Sequence, residues 1–403
     1  MRTGIVLSGG GARGAYEVGV IAGIVDVLRE EGLSSSPFDV FTGTSVGAIN
    51  AAWLAAHADQ PDMNIDGLIA QWRGLRLEKH IRFDPLRFLS GNKLGPWLAR
   101  LRGEHGERWG RSLLDPRALE EIVEQHIPYD RLRQNVRDGD VRALVVAALE
   151  VGTGRTTLFA DVADKDLFKV SRDPRRQARY EQITARHVLA SAAIPLLFPS
   201  RRIGRRYYCD GGVRFNTPIS PAIRAGADRL VVISLLFEDE IVRLSADETD
   251  SEMEAAYPSP IFLLGKILNA LLLDPVKYDL QVLDRMNRLL NTLEETLEPA
   301  EMERVRDVMR ETRGLPYRQL GALEFHPSKD IGGLASDYAR TLRIRNLPAA
   351  IFSGAAHFRG AMESDLLSFV LFDGGFAERL IALGRRDAQR RAARIRQFFS
   401  DDD

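Results

Sequence analysis

Ser45 stands in the run Gly43-Thr44-Ser45-Val46-Gly47, behind the apolar stretch FDVFT and ahead of the small-residue run AINAAWLAAH. A serine becomes a nucleophile in this context: a strand ends, the chain turns sharply, and a helix begins. Glycines flank the serine because side chains there would strike neighbouring strands. The helix beginning near Val46 aims amide N–H groups and its positive dipole end at Ser45, where negative charge would develop. The competing reading of the same residues is an ordinary N-cap serine.

A serine hydroxyl needs a base. Of the seven histidines, His57, His80, His105, His126, His187, His326 and His357, only the last two fall late enough for the order serine, acid, histidine. Neither carries a loop signature of its own, so a triad through His326 or His357 stands as the alternative. A carboxylate offers another route. Asp210 opens Asp210-Gly211-Gly212 directly after RRYYC, at a strand end, where the sites of open α/β sheets collect. The tripeptide recurs at Asp373-Gly374-Gly375, but behind the helical pattern DLLSFVLF, so Asp373 reads as a helix C-terminus. His57 and Asp62 fit an H-x-x-x-x-D spacing at a helix end running into QPD, and read as surface residues.

The first loop, SGGGARGAY, places Gly9, Gly11 and Gly14 in a G-x-G-x-x-G pattern behind a short apolar run. That pattern suits a dinucleotide phosphate, but such a unit needs an acid at the end of its second strand. Here the second strand leads to the serine turn instead, and Glu30 and Glu31 end the intervening helix. A phosphate loop of the Gly-Lys-Ser/Thr kind is also missing its end. A nucleotide-binding module remains the alternative from a different functional class.

The elements that must position these residues follow from periodicity. Residues 3–7, 38–42, 141–149, 206–209 and 229–235 read as strands, with a hairpin return after 149. Residues 15–31 read as a helix stopped by Gly32, and 68–77, 96–102, 116–126, 187–193 and 219–225 are further helical pieces. Strands alternating with helices predict a largely parallel sheet covered on both faces. After residue 237 the chain turns acidic and then mainly helical, with one strand near 322–325. The predicted organisation is therefore a catalytic unit over 1–237 and a mainly helical extension over 238–403 packed on it.

Composition narrows the class. The chain has 403 residues, 45% hydrophobic and 28% charged, with a formal net charge of −1. That charge offers no field to gather nucleic acid. The single cysteine, Cys209, excludes a disulfide framework within the chain and argues against a cysteine zinc site. No apolar stretch reaches the ~20 residues a membrane helix needs. A cytoplasmic protein that meets membranes only peripherally is the expectation. Residues 94–103 and 260–275 are the candidate interfacial or acyl-binding stretches, and the arginines between 385 and 396 read as a solvated helix that would also suit anionic lipid.

Taken in order, GGGARG, GTSVG and DGG resemble the patatin-like phospholipase family. ASAAIPLLFPS, at 190–200, is similar to that family's segment upstream of its aspartate, and ESDLLSFVLFDGGFAERLIALGRRDA is similar to bacterial members. The resemblance implies a three-layer α/β/α fold. It implies a Ser45–Asp210 dyad, with Ser45 as nucleophile and Asp210 as base. It implies an oxyanion hole built from the amides of Gly9, Gly10 and Gly11 with Arg13 nearby, and it marks Gly14, Gly43, Gly47, Gly211 and Gly212 as motif glycines. The implied substrate is a phospholipid or other acyl-ester lipid, with no metal or cofactor required. Arg13 is disfavoured at a helix N-terminus, which gives weight to a role in shaping the loop or meeting a lipid phosphate.

Overall fold

The computed structural model describes residues 1–76, 82–83, 114–115, 117–168, 171–195, 197–237, 266–267, 269–270, 274–313, 318–342 and 364–400. The order of elements is β1 (Thr3–Leu7), α1 (Ala15–Glu30), β2 (Val40–Thr44), α2 (Val46–Ala56), α3 (Ile65–Gly74), α4 (Arg117–His126), α5 (Tyr129–Asp138), β3 (Ala143–Glu150), β4 (Thr156–Asp161), β5 (Arg176–Tyr180), α6 (Ala185–Ser191), β6 (Arg201–Ile203), β7 (Arg206–Asp210), α7 (Ile219–Arg224), β8 (Arg229–Ile233), α8 (Asp274–Thr296), α9 (Pro299–Arg313), β9 (Gly321–Phe325), α10 (Ile331–Thr341), α11 (Ser364–Val370), α12 (Gly374–Arg390) and α13 (Ala392–Ser400). A two-residue antiparallel pair, Arg82–Phe83 with Leu114–Asp115, lies apart.

Nine strands of the described residues form one sheet, in the order β9-β8-β1-β2-β3-β4-β5, with β7 on β3 and β6 on β7. The run from β9 to β3 is parallel throughout. β4 returns antiparallel on β3, as the hairpin reading requires. The central strands are apolar on both faces because both faces are covered. Alternate residues enter different cores: Ile5, Leu7, Phe41, Val146 and Ile233 join one cluster, while Val6, Val40, Val145 and Val232 join the other. The period of two thus sorts each strand's side chains between two helical layers, and the three-layer α/β/α arrangement follows.

α1 is buried nearly all round, from Ala15 to Leu28. A helix apolar on every side needs cover on the side away from the sheet, and α12 supplies it. The two backbones touch: a Cβ on Gly19 would lie 2.2 Å from the Ile381 carbonyl oxygen, and one on Gly384 would lie 2.3 Å from that of Tyr16. The C-terminal stretch also contributes β9, the edge strand beside β8, at the place where one strand was expected near 322–325. Among the described residues no helix is long and apolar enough to cross a membrane.

The basic C-terminal helices, read from the sequence as solvated, leave Arg386, Arg390 and Arg394 exposed but tie two arginines to α1. Arg385 holds the Asp26 carboxylate through two contacts of 2.5 and 2.8 Å. Arg396 reaches Glu30 and Glu31, both at 2.6 Å. The two glutamates at the end of α1, considered above as ribose-binding acids, are therefore occupied by this helix. Residues 94–103 and most of 260–275 lie outside the described residues.

Candidate active site

The residue pairing along β3 decides which groups meet. β2 runs parallel to β3 and ends with Thr44 opposite Ala147. β7 runs antiparallel to the same strand and ends with Asp210 opposite Ala148. The two strands approach head-on along one edge of β3, so the residue following Thr44 faces Asp210. Ser45 and Asp210 are brought together by register, across a long separation in sequence.

Ser45 occupies φ 55°, ψ −126°, left-handed and strained for a residue with a Cβ. Space at the turn is minimal. A Cβ on Gly43 would lie 2.3 Å from the Gly47 carbonyl oxygen, and one on Gly47 would lie 2.4 Å from that of Leu7. The flanking glycines are thus required by close approach of backbone, as the motif reading holds. Ser45 is 1% exposed and Asp210 is fully buried.

Asp210 Oδ1 accepts the Gly212 amide at 2.7 Å. Its Oδ2 is enclosed and makes no full hydrogen bond. Burial pushes the Asp210 pKa up to about 7, while the Ser45 hydroxyl and the Gly212 amide pull it back. A carboxyl poised near neutrality beside a serine hydroxyl has the ionisation a general base needs. The neighbouring Cys209 thiol is pushed by burial up to about 11, which keeps it a protonated bystander.

The glycine loop closes over the same point. A Cβ on Gly9 would lie 3.0 Å from Ser45 Cβ and 2.3 Å from Asn216 Oδ1. Asn216, fully buried, brackets Gly9: its Oδ1 accepts the Gly9 amide at 2.9 Å and its Nδ2 donates to the Gly9 carbonyl at 3.2 Å. This corrects the oxyanion reading for Gly9, whose N–H is already committed. The Gly10 and Gly11 amides find no acceptor among the described residues. Gly11 takes φ 57°, and a Cβ there would lie 2.2 Å from the Phe369 carbonyl oxygen, so glycine is required twice over.

Arg13 also departs from the oxyanion reading. It is 4% exposed and turns away from the serine toward α11. Its Nε donates to Ser368 Oγ at 2.7 Å, its Nη2 lies 3.4 Å from Asp365 Oδ1, and its guanidinium stacks 4.4 Å over the Phe369 ring. Of the two roles weighed for it, shaping the loop is the one its contacts serve. α11, from the C-terminal stretch, thereby packs directly on the loop.

A second buried network sits behind the turn. Asn50 Nδ2 donates to the Gly14 carbonyl at 3.1 Å and to Glu17 Oε2 at 2.9 Å, and Trp72 Nε1 donates to Asn50 Oδ1 at 3.1 Å. Burial raises the Glu17 pKa well above the ordinary carboxylate range, and through Asn50 Glu17 joins the glycine-loop helix to α2. Just past Ser45, Val46 lines a small pocket walled almost wholly by apolar groups, among them Ile49, Trp53, Leu68, Trp72 and Phe372.

The histidine alternatives fare differently. His326 follows β9, three strands along the sheet from β2, a separation of about 14 Å at the usual strand spacing. It sits 3.6 Å from Glu324 instead. That distance excludes it from Ser45. His357 lies outside the described residues. Asp373 is the N-cap of α12, accepting the Gly375 amide at 3.0 Å, and not a helix C-terminus as its sequence context indicated. His57 is buried, its Nδ1 2.9 Å from the Trp53 carbonyl, while Asp62 pairs with Arg29; the pair is structural, and His57 is not the surface residue expected.

Sequence reasoning missed Asn216, Asn50, Glu17 and Ser191. The available signal was polarity inside apolar runs: asparagine within FNTPI, glutamate within AYEVGV and serine within VLASAAIP. Such residues are buried by their neighbours and must find partners.

The Patatin-like phospholipase family profile matches residues 5–223. A cGAMP-activated phospholipase of Pseudomonas aeruginosa is 28% identical over 215 residues, and the match covers 53% of this chain and 53% of that protein. The chain thus spans about half the length of that relative. Lysophospholipase nte1 of Aspergillus terreus is 50% identical over 56 residues, covering 14% of this chain and 3% of that protein. Among solved structures, human GIVD cytosolic phospholipase A2 aligns over 99% of this chain and 60% of its own, with 14% identity and a TM-score of 0.45.

Proposed function

The chain belongs to the patatin-like phospholipase family, and on that premise we propose that it is a serine lipid acyl hydrolase of phospholipase A or lysophospholipase type, with Ser45 as nucleophile and Asp210 as base. The observation that carries the reading is the head-on meeting of β2 and β7 on one edge of β3. It sets a strained serine against an enclosed carboxyl whose pKa lies near neutrality.

Ionised Asp210 takes the hydroxyl proton as Ser45 Oγ attacks the ester carbonyl. The carbonyl oxygen gains the negative charge, and the Gly10 and Gly11 amides are the donors offered to it. Removing one such donor costs about 3–4 kcal/mol of transition-state stabilisation in comparable sites. Collapse expels the alcohol, which takes the proton back from Asp210 and leaves an acyl-serine. Water then attacks with Asp210 again as base, releasing the fatty acid and free Ser45.

The test is release of fatty acid from phospholipid, lysophospholipid and p-nitrophenyl esters by the purified chain, with a fluorophosphonate probe for the nucleophile. Ser45→Ala should abolish both labelling and turnover, and Asp210→Asn should abolish turnover while the protein stays folded. Turnover at the wild-type rate in either variant overturns the dyad.

A further inference from the structure

The C-terminal end of α6 and the turn after it touch the backbones of both Ser45 and Asp210. The Ser45 amide donates to Ser191 Oγ at 2.9 Å. The Ser191 hydroxyl in turn donates to the Ala147 carbonyl at 2.6 Å, on the β3 residue that faces Thr44. Two residues on, the Ala193 carbonyl accepts the Asp210 amide at 2.8 Å. Ser191 is fully buried and Ala193 is 2% exposed, so water does not compete for these bonds.

Ser45 has no preference for its own conformation. At φ 55° and ψ −126° a residue with a Cβ relaxes unless its peptide is held from outside. The Gly43 and Gly47 contacts permit the turn but do not orient the Ser45 peptide. A hydrogen bond to the Ser45 N–H does orient it, and the position of Cβ and Oγ follows from that plane. The same turn fixes the backbone of Asp210, so one rigid segment sets the gap between nucleophile and base. The bond also commits the Ser45 amide, which leaves any oxyanion to donors elsewhere.

We infer that Ser191 is a positioning residue for the reaction: with Ala193 it spans the Ser45 and Asp210 backbones and holds the serine oxygen at the carboxyl. The inference rests on the dyad reading above. It assigns Ser191 no contact with substrate and no proton in the reaction; its hydroxyl only accepts from Ser45 and donates to Ala147.

The consequence is kinetic. Removing the hydroxyl frees the Ser45 peptide to rotate and misplaces the nucleophile by a fraction of an ångström to an ångström, an error that costs about 100-fold in comparable sites. Substrate binding, which uses other walls, is untouched. Ser191→Ala should therefore lower kcat and the rate of fluorophosphonate labelling by about 10- to 100-fold, leave KM within about threefold, and retain a cooperative melt. Ser191→Cys, with a weaker donor and acceptor of similar shape, should fall between Ser191→Ala and the wild type. Hydrogen exchange at the peptide containing Ser45 should quicken in Ser191→Ala while β1 and β8 stay protected. Labelling at the wild-type rate in folded Ser191→Ala overturns the inference, as does a loss confined to KM. If Ser191→Ala does not fold, labelling of Ser191→Cys at the wild-type rate overturns it equally. Ser45→Ala separates the two levels: labelling that persists there refutes the dyad itself, whereas a silent Ser45→Ala beside a fully active Ser191→Ala refutes only the role of Ser191.

Discussion

Raising the pH should activate this protein and destabilise it through the same carboxyl. Asp210 is fully enclosed and its pKa is pushed by burial up to about 7, against ~4 for an aspartate in an unfolded chain. Only the ionised form can accept the Ser45 proton. The acid limb of kcat/KM should therefore bend near pH 7 and fall about tenfold per unit below it, to about 1% of its plateau at pH 5. Stability has the opposite sign. Below about pH 4 both the folded and unfolded chains hold the proton, so Asp210 contributes no pH dependence there. Between about 4 and about 7 only the folded chain holds it, so each rising pH unit lowers stability by about 1.4 kcal/mol, or about 4 kcal/mol over the window. Asp210→Asn removes the charge and keeps the shape. It should be inactive at every pH, yet melt at a higher temperature than the wild type above pH 7, with the difference vanishing near pH 4. The assay is a pH series of kcat/KM on a soluble ester beside thermal melts of both proteins. A flat rate between pH 5 and 8, or an Asp210→Asn variant less stable than the wild type at pH 8, would refute the burial argument.

Three further outcomes follow from the site. Gly11→Ala forces a Cβ into the Phe369 carbonyl at a left-handed position, costing at least about 2 kcal/mol; the melting temperature and the labelling rate should drop together, and an unaltered melt would mean that α11 does not seat on the loop. Asn216→Ala strips the bracket from the buried Gly9 peptide, leaving two polar groups unpaired at about 1–3 kcal/mol each; kcat should fall more than about tenfold, and wild-type turnover would show that the bracket is dispensable. Glu17→Gln keeps the shape of a carboxyl that burial pushes toward its uncharged form, so stability should stay within about 1 kcal/mol of the wild type, a result checked by chemical denaturation; a larger loss would refute that reading of the burial.

Read alone, the sequence determined what depends on near neighbours. Continuous apolar runs marked β1, β2, β3 and β8 because each strand feeds two cores, and Gly43, Ser45 and Gly47 marked the turn by their spacing, although the backbone that crowds Gly47 belongs to β1. Even the weak strand at 321–325 was legible. The tertiary structure decided what depends on register and on distant backbone. Asp210 and Asp373 carry the same tripeptide; Asp210 meets Ser45 because β7 shares an edge of β3 with β2, while Asp373 caps a helix. His326 had the right chain order, but β1 and β8 stand between its strand and that of Ser45. Arg13 lies in the glycine motif yet serves α11, and Arg385 and Arg396 pair with acids on α1. Local spacing sets which groups are able to react; pairing between strands far apart in the chain sets which of them touch, because a hydrogen-bonded register has no local signature.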